Sequence, residues 1–410
     1  MPATLPELLI PVGSPDLLPA ALAFGADAVY CGSSALSLRA KADNFTDEAL
    51  QEAIRYTHAH GKKLYLTVNI FAHQQDLPDA EDLFRTIAAR PDRPDAFIIS
   101  DLGIFRLARR LCPEVPVHIS TQANSTNAET AAFWGDLGAS RIVCARELSL
   151  EEIADIVRRL PGGPELEVFV HGSMCMSYSG RCLISSFLNG RDANRGLCTQ
   201  PCRWQYYLTE ETRPGEYMPL EETERGIYLY NSRDLCMISH LPELLAAGVR
   251  SLKVEGRMKN ELYIAAVTRA YRTALDALAE SEDAYRAVLP WCEREVYKCT
   301  TRDYCTGFYF GRPGPEAQNF ASSAYRQDVR FLGRVRQDEK GYYILQKNKF
   351  RAGDPVEAVR PGGEDVPLRV LYFETEEGIR RDSCPHPGEK LYLVTDVPLQ
   401  PYDILREVAP

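Results

Sequence analysis

Eight short apolar runs alternate with helical segments before residue 260, and this alternation limits the possible folds more than any other feature. The runs are residues 7–12, 28–32, 63–70, 96–101, 115–120, 141–145, 166–170 and 251–255. Runs of this length, bounded by Gly, Pro or polar residues, read as strands, and the segments between them place apolar residues at helical spacing. Thr46 is placed to cap the helix over 47–58. Ser149 and Glu152 have capping-box spacing ahead of a helix that puts Ile153, Ile156, Val157 and Leu160 on one face. Strands apolar along their whole length suit a parallel sheet buried on both sides. Eight such units in about 275 residues match an α/β fold of the TIM-like (β/α)8 barrel type. A doubly wound open sheet is the competing arrangement, but no dinucleotide glycine fingerprint follows the first strand.

A chain of 410 residues exceeds one ordinary core. The barrel is expected over 1–278, with a cysteine-rich loop at 173–204 after the seventh strand. A linking segment with a helical beginning covers 279–325. Over 326–410 the texture changes to short alternating strands at 331–336, 341–345, 355–359, 368–372 and 390–394, which fit a small β-barrel. No run of eighteen apolar residues and no signal-peptide pattern is found, so a cytoplasmic protein without a membrane span is expected. The net charge of −10 argues against a general nucleic-acid coat but leaves room for a local basic patch. The sequence carries no indication of oligomeric state.

In a barrel, functional groups gather at the carboxyl ends of the strands. Those positions hold Asn69, Asp101, Gln122, Asn124, Arg146, Glu147, His171, Lys253, Glu255 and Arg257. Each alone is an ordinary loop residue; together they describe a mouth for a polar or anionic small molecule. Lys253, Arg257 and Arg146 are candidates for holding a dicarboxylate, since guanidinium meets carboxylate with paired hydrogen bonds. Asn69 and Gln122 complete the substrate set, and His171 or Glu255 is placed for general acid–base work.

Twelve cysteines in a reducing compartment point to metal binding or catalysis where they cluster. Cys175, Cys182, Cys198 and Cys202 form a C-x6-C-x15-C-x3-C pattern. Four thiolates at irregular spacing suit an iron–sulfur cluster; zinc, which prefers closer pairs, and unliganded thiols are the other readings. A Cys175–His171 dyad is a further arrangement, while no His-Glu-x-x-His and no Gly-x-Ser-x-Gly occurs. Arg181, Arg191, Arg195 and Arg203 surround the cysteines, followed by Trp204. Arginines beside an aromatic can hold a phosphate backbone and stack an unpaired base, although a solvated loop has the same composition.

The stretch Glu167-Val-Phe-Val-His-Gly-Ser-Met-Cys, followed by Ser179-Gly-Arg-Cys-Leu-Ile-Ser, resembles the signature of the collagenase-like peptidases of unassigned catalytic type, family U32. Asp27-Ala-Val-Tyr-Cys-Gly, Asn194-Arg-Gly-Leu-Cys-Thr-Gln-Pro-Cys-Arg-Trp, Asn231-Ser-Arg-Asp-Leu-Cys and Lys253-Val-Glu-Gly-Arg-Met-Lys agree with it, so the likeness covers nearly the whole chain. The resemblance implies an RNA or quinone hydroxylation protein carrying a 4Fe-4S cluster on Cys175, Cys182, Cys198 and Cys202. A chain of this length with a C-terminal β domain is similar to the branch that makes 5-hydroxyuridine at the tRNA wobble position with prephenate as oxygen source. A sister branch hydroxylates a ribosomal RNA cytidine and carries a longer extension. Some relatives are described as secreted collagenases, which makes a peptidase the alternative.

Overall fold

A computed structural model describes residues 5–33, 36, 45–175, 177–178, 182–204, 207–209, 217–219, 232–313, 317 and 329–408, with backbone alone at 195, 203, 207–209, 217–219 and 408. The chain forms two compact units. One comprises Met1–Pro15, Ala28–Met258 and Arg302–Ala324; the other comprises Asp16–Asp27, Lys259–Thr301 and Tyr325–Pro410.

In the first unit, eight parallel strands follow one another around a closed barrel: β1 (Glu7–Pro11), β2 (Ala28–Gly32), β3 (Lys63–Val68), β4 (Ala96–Ile99), β5 (Val117–Ile119), β6 (Ala139–Val143), β7 (Glu165–Gly172) and β8 (Ser251–Val254). β8 closes the ring by pairing with both β7 and β1, which sets Ser251 opposite Glu167 on one side and Glu7 on the other. Leu9, Ala28, Tyr30, Tyr65, Ala96 and Ile98 form a buried cluster among the strands.

The intervening helices start where local chemistry predicts. Thr46 Oγ1 accepts from Ala49 N at 3.2 Å to cap Asp47–Ala59. Ser149 and Glu152 form the reciprocal capping box at the head of Leu150–Arg159, satisfying amide groups that a helix start leaves unpaired. After β7 the chain passes through a short helix, Ile184–Asn189, and two tight turns, Ala193–Arg195 and Pro201–Arg203. It returns as Asp234–Cys236, antiparallel to the end of β7.

The second unit contains six antiparallel strands: β9 (Val329–Asp338), β10 (Gly341–Leu345), β11 (Pro355–Val359), β12 (Val366–Glu374), β13 (Lys390–Thr395) and β14 (Ile404–Val408). Their order β11-β14-β9-β10-β13-β12, closed by β12 on β11, is a small barrel. Its core includes Leu332, Ile344, Val356, Leu391 and Leu405, with the Phe350 and Phe373 rings edge-on at 5.0 Å. The expected alternation is found on five strands; β14 is an addition that the sequence reading missed, because Arg406 interrupts its apolar pattern. The stretch read as a linker carries a helix, Glu282–Tyr297, capped by Ser281, which accepts from Ala284 N at 3.0 Å. It packs against Glu261–Glu280. Among the described residues no helix is long and apolar enough to cross a membrane.

Arg406 has no solvent exposure and explains its own place in a strand. Its guanidinium meets Glu295 at 2.9 Å, Glu357 at 2.8 Å and Asp365 at 2.6 Å, and Arg269 reaches Glu295 and Asp365 at 2.6 and 2.7 Å. Removing one partner strands buried charge, which costs more than the intact pair contributes. Arg406→Ala should therefore lower the unfolding free energy of this unit by about 3–5 kcal/mol, measured by denaturant titration.

Candidate functional site

Four barrel strands, β1, β6, β7 and β8, direct charge into the interior. Glu167 on β7 is fully buried and accepts from Lys253 Nζ at 2.8 Å, Ser251 Oγ at 2.9 Å and Arg141 Nη1 at 3.2 Å. Arg141 also meets Glu7 at 2.6 Å and Glu165 at 2.8 Å, and Tyr65 donates to Glu7 at 2.7 Å. Lys63 reaches Glu7 at 3.5 Å, so three carboxylates face three cations. Burial alone would raise the Glu167 pKa, but Lys253 and Arg141 outweigh it and hold it down to about 2. Burial lowers the Lys253 pKa against the opposing pull of Glu167.

Above this layer, the carboxyl ends of the strands and the cysteine segment enclose a cavity of about 250 Å³. Asn69, Gln122, Arg146, Lys253, Glu255 and Arg257 all line it, as do Cys175, Cys182, Cys198 and Cys202. Arg257 donates from Nη1 to Thr67 Oγ1 at 2.9 Å. The Arg146 guanidinium lies 4.0 Å from the Phe169 ring centroid, and Lys253 Nζ lies 4.5 Å from that of Tyr30. Cations over aromatic faces are held without losing their ability to meet an anion. Two glycines make this arrangement possible. A Cβ at Gly13 would stand 1.8 Å from the Arg257 carbonyl oxygen, and one at Gly172, where φ is +105°, would stand 2.6 Å from that of Glu255. Only glycine lets β1 and β7 approach the 255–257 turn so closely.

The thiols lie on the other boundary of the same cavity. None is in a disulfide; Cys175 and Cys198 are exposed and Cys182 and Cys202 half-buried. Gln200, in the left-handed conformation at φ 56°, donates its amide to Cys198 Sγ at 3.3 Å. Among the described residues no three His, Cys, Asp or Glu side chains already converge on one metal position. The thiols border a shared space rather than a finished cage. Four thiols with a backbone amide on a sulfur fit the donor chemistry of an iron–sulfur cluster or of zinc.

A model of peptidase family U32 matches residues 13–319, and a model of the U32 C-terminal domain matches residues 327–406. The chain belongs to peptidase family U32. It is 35% identical over 405 residues to the tRNA hydroxylation protein P1 of Bacillus subtilis, spanning 98% of this chain and 94% of the relative. It is 37% identical over 431 aligned positions to the tRNA hydroxylation protein P of Escherichia coli, spanning 95% and 93%. It is also 34% identical over 417 aligned positions to a collagenase of Porphyromonas gingivalis, spanning 94% and 97%.

In this U32 chain, His171 does not line the cavity. It is buried, with Nε2 3.2 Å from the Tyr304 hydroxyl, where the antiparallel Asp234–Cys236 strand covers the end of β7. Cys175, four residues further on, does line the cavity. Arg191 and Trp204 also lie outside the lining, with Trp204 43% exposed. Arg181 and the side chains of Arg195 and Arg203 lie outside the described residues. Sequence reasoning missed the ionic layer: Lys253 was read as a substrate ligand, whereas its ammonium is already committed to Glu167. The available signal was charge at one inward register of otherwise apolar strands, in Glu7, Arg141, Glu165, Glu167 and Lys253.

His118, on β5, sits in this layer with its ring 4.7 Å from that of Tyr65. Burial first, and Arg141 second, push its pKa from 6.5 down to about 3. Between those values the unfolded chain holds the proton and the folded chain does not, so stability falls as pH drops below 6.5. The expected loss from this residue is about 1.4 kcal/mol per pH unit. Glu167 loses its contribution only below 4.5, outside this range. Denaturant melts between about pH 6.5 and 5 should show correspondingly less acid sensitivity in His118→Gln.

Proposed function

We propose that this protein hydroxylates a base of RNA, the wobble uridine of tRNA, using prephenate or a similar dicarboxylate and a 4Fe-4S cluster on Cys175, Cys182, Cys198 and Cys202. The observation that carries this reading is that four thiols and the cations Arg146, Arg257 and Lys253 border one cavity at the carboxyl end of the barrel. The near full-length likeness to proteins named for tRNA hydroxylation supports the substrate. A cluster held by those thiols would supply electron transfer next to the bound base.

The remaining roles follow from the chain's own groups. Lys253 is neutralised by Glu167, so the dicarboxylate rests mainly on Arg146 and Arg257. Arg257 is held by Thr67 in a nearly enclosed position where a charge-assisted hydrogen bond is strong. Glu255, whose Oε2 accepts from Ser173 N at 3.4 Å, is the cavity's carboxylate and can move a proton at the reacting base. A peptidase would need a nucleophile in contact with its base, and His171 is instead engaged with Tyr304.

Nucleoside mass spectrometry of tRNA decides the reaction. A strain lacking the gene should lose 5-hydroxyuridine derivatives and regain them with the wild-type gene but not with Cys198→Ala; an unchanged nucleoside profile ends this reading. Anaerobically purified protein should be brown and contain iron and acid-labile sulfide, whereas colourless protein with stoichiometric zinc would overturn the cluster. Losing one charged hydrogen bond costs about 1.5–3 kcal/mol, so Arg257→Met should weaken prephenate binding about 10- to 100-fold by calorimetry.

A further inference from the structure

The cavity lining divides by strand. The ends of β6 and β8 supply Arg146, Lys253, Glu255 and Arg257, whereas the ends of β3 and β5 supply two uncharged amides, Asn69 and Gln122. Both amides are at least nine-tenths buried, with 9% and 6% exposure. In both the side-chain carbonyl oxygen has no hydrogen-bond partner among the described residues. A buried polar atom left unpaired costs free energy that a bound ligand can recover.

The backbone that carries the two side chains is tied down at both strand ends. Ser120 Oγ accepts from Asn69 Nδ2 and from the Gln122 backbone N–H, each at 3.4 Å, so one buried hydroxyl ties the two strand ends together. Ser100 Oγ donates to the Asn69 backbone carbonyl at 3.1 Å. Gln122 sits in the single turn Thr121–Ala123, and Asn124, left-handed at φ 53°, donates its side-chain amide to the Gln122 backbone carbonyl at 2.9 Å.

A carboxylate offers acceptors only, so it can satisfy an amide's N–H but never its carbonyl. As the two side chains stand, the ligand facing this arc has to supply a donor to their carbonyl oxygens, as the N3–H of the uracil imide edge does between its own two carbonyls. We propose that Asn69 and Gln122 read the hydrogen-bonding edge of the extruded uracil, and that they are specificity-determining residues rather than dicarboxylate ligands. The inference rests on the RNA-hydroxylation reading above.

The test uses the full-length holoprotein under anaerobic conditions. Its probes are anticodon stem–loops with uridine or cytidine at the wobble position and, separately, prephenate. Asn69→Leu and Gln122→Met should weaken the uridine stem–loop about ten-fold or more and erase its advantage over cytidine, with prephenate affinity unchanged. Gln122→Glu keeps the shape but exchanges the donor for an acceptor, which matches the amino group of cytosine, so the preference should move towards cytidine. Retained prephenate binding shows that the variants fold. Loss of prephenate affinity with an unchanged base preference would overturn the assignment, as would no change in either. If the wild-type protein binds and modifies neither stem–loop, the hydroxylation reading itself fails and this inference fails with it.

Discussion

Glu167 is the point on which the first unit's interior is balanced. A carboxylate without solvent exposure persists in charged form only where cations and hydroxyls replace the lost hydration. Here Arg141 from β6 and Lys253 and Ser251 from β8 do so, and Arg141 carries the connection on to Glu7 of β1 and Glu165 of β7. The β7–β8 and β8–β1 pairings that close the barrel therefore coincide with its densest ion pairing. Displacing a strand here would disrupt the packed interior and also separate buried charges.

This layer also sets what the cavity above it can be. Lys253 touches both, and Glu167 holds its charge in place without freeing it for a ligand. Arg146, spread over Phe169, and Arg257, bonded to Thr67, also line the cavity. Gly13 and Gly172 bring β1 and β7 against the 255–257 turn closely enough to orient Arg257 and Glu255 together. The cavity is thus built from a rigid floor, and the cysteine segment contributes its remaining boundary.

Much of this was legible in the chain. The period of the apolar runs gave all eight strands, and the rule that function gathers at strand carboxyl ends placed Asn69, Gln122, Arg146, Lys253, Glu255 and Arg257 around one cavity. That rule depends on topology alone, which is why it transfers. It failed for His171, because β7 runs on to Gly172 and is covered there by Asp234–Cys236, a pairing between residues more than sixty positions apart. The helical beginning expected for the segment from residue 279 corresponds to the helix Glu282–Tyr297, which carries Pro290 within it. β14 was hidden by Arg406, whose burial makes sense only beside Glu295, Glu357 and Asp365.

The family's name and the site's chemistry point in different directions. Thiol proteolysis requires a cysteine paired with an imidazole that can take its proton. Here the nearest histidine in sequence to Cys175 is buried against Tyr304, outside the cavity that Cys175 borders. The cavity instead combines soft sulfur donors, guanidinium groups and unpaired amides, three chemistries suited to a cluster, a carboxylate and a base edge respectively. A peptide backbone would use none of the thiols and would leave the arginines facing a neutral chain. A reaction that brings a metal cluster, an organic anion and a nucleobase together would use all three.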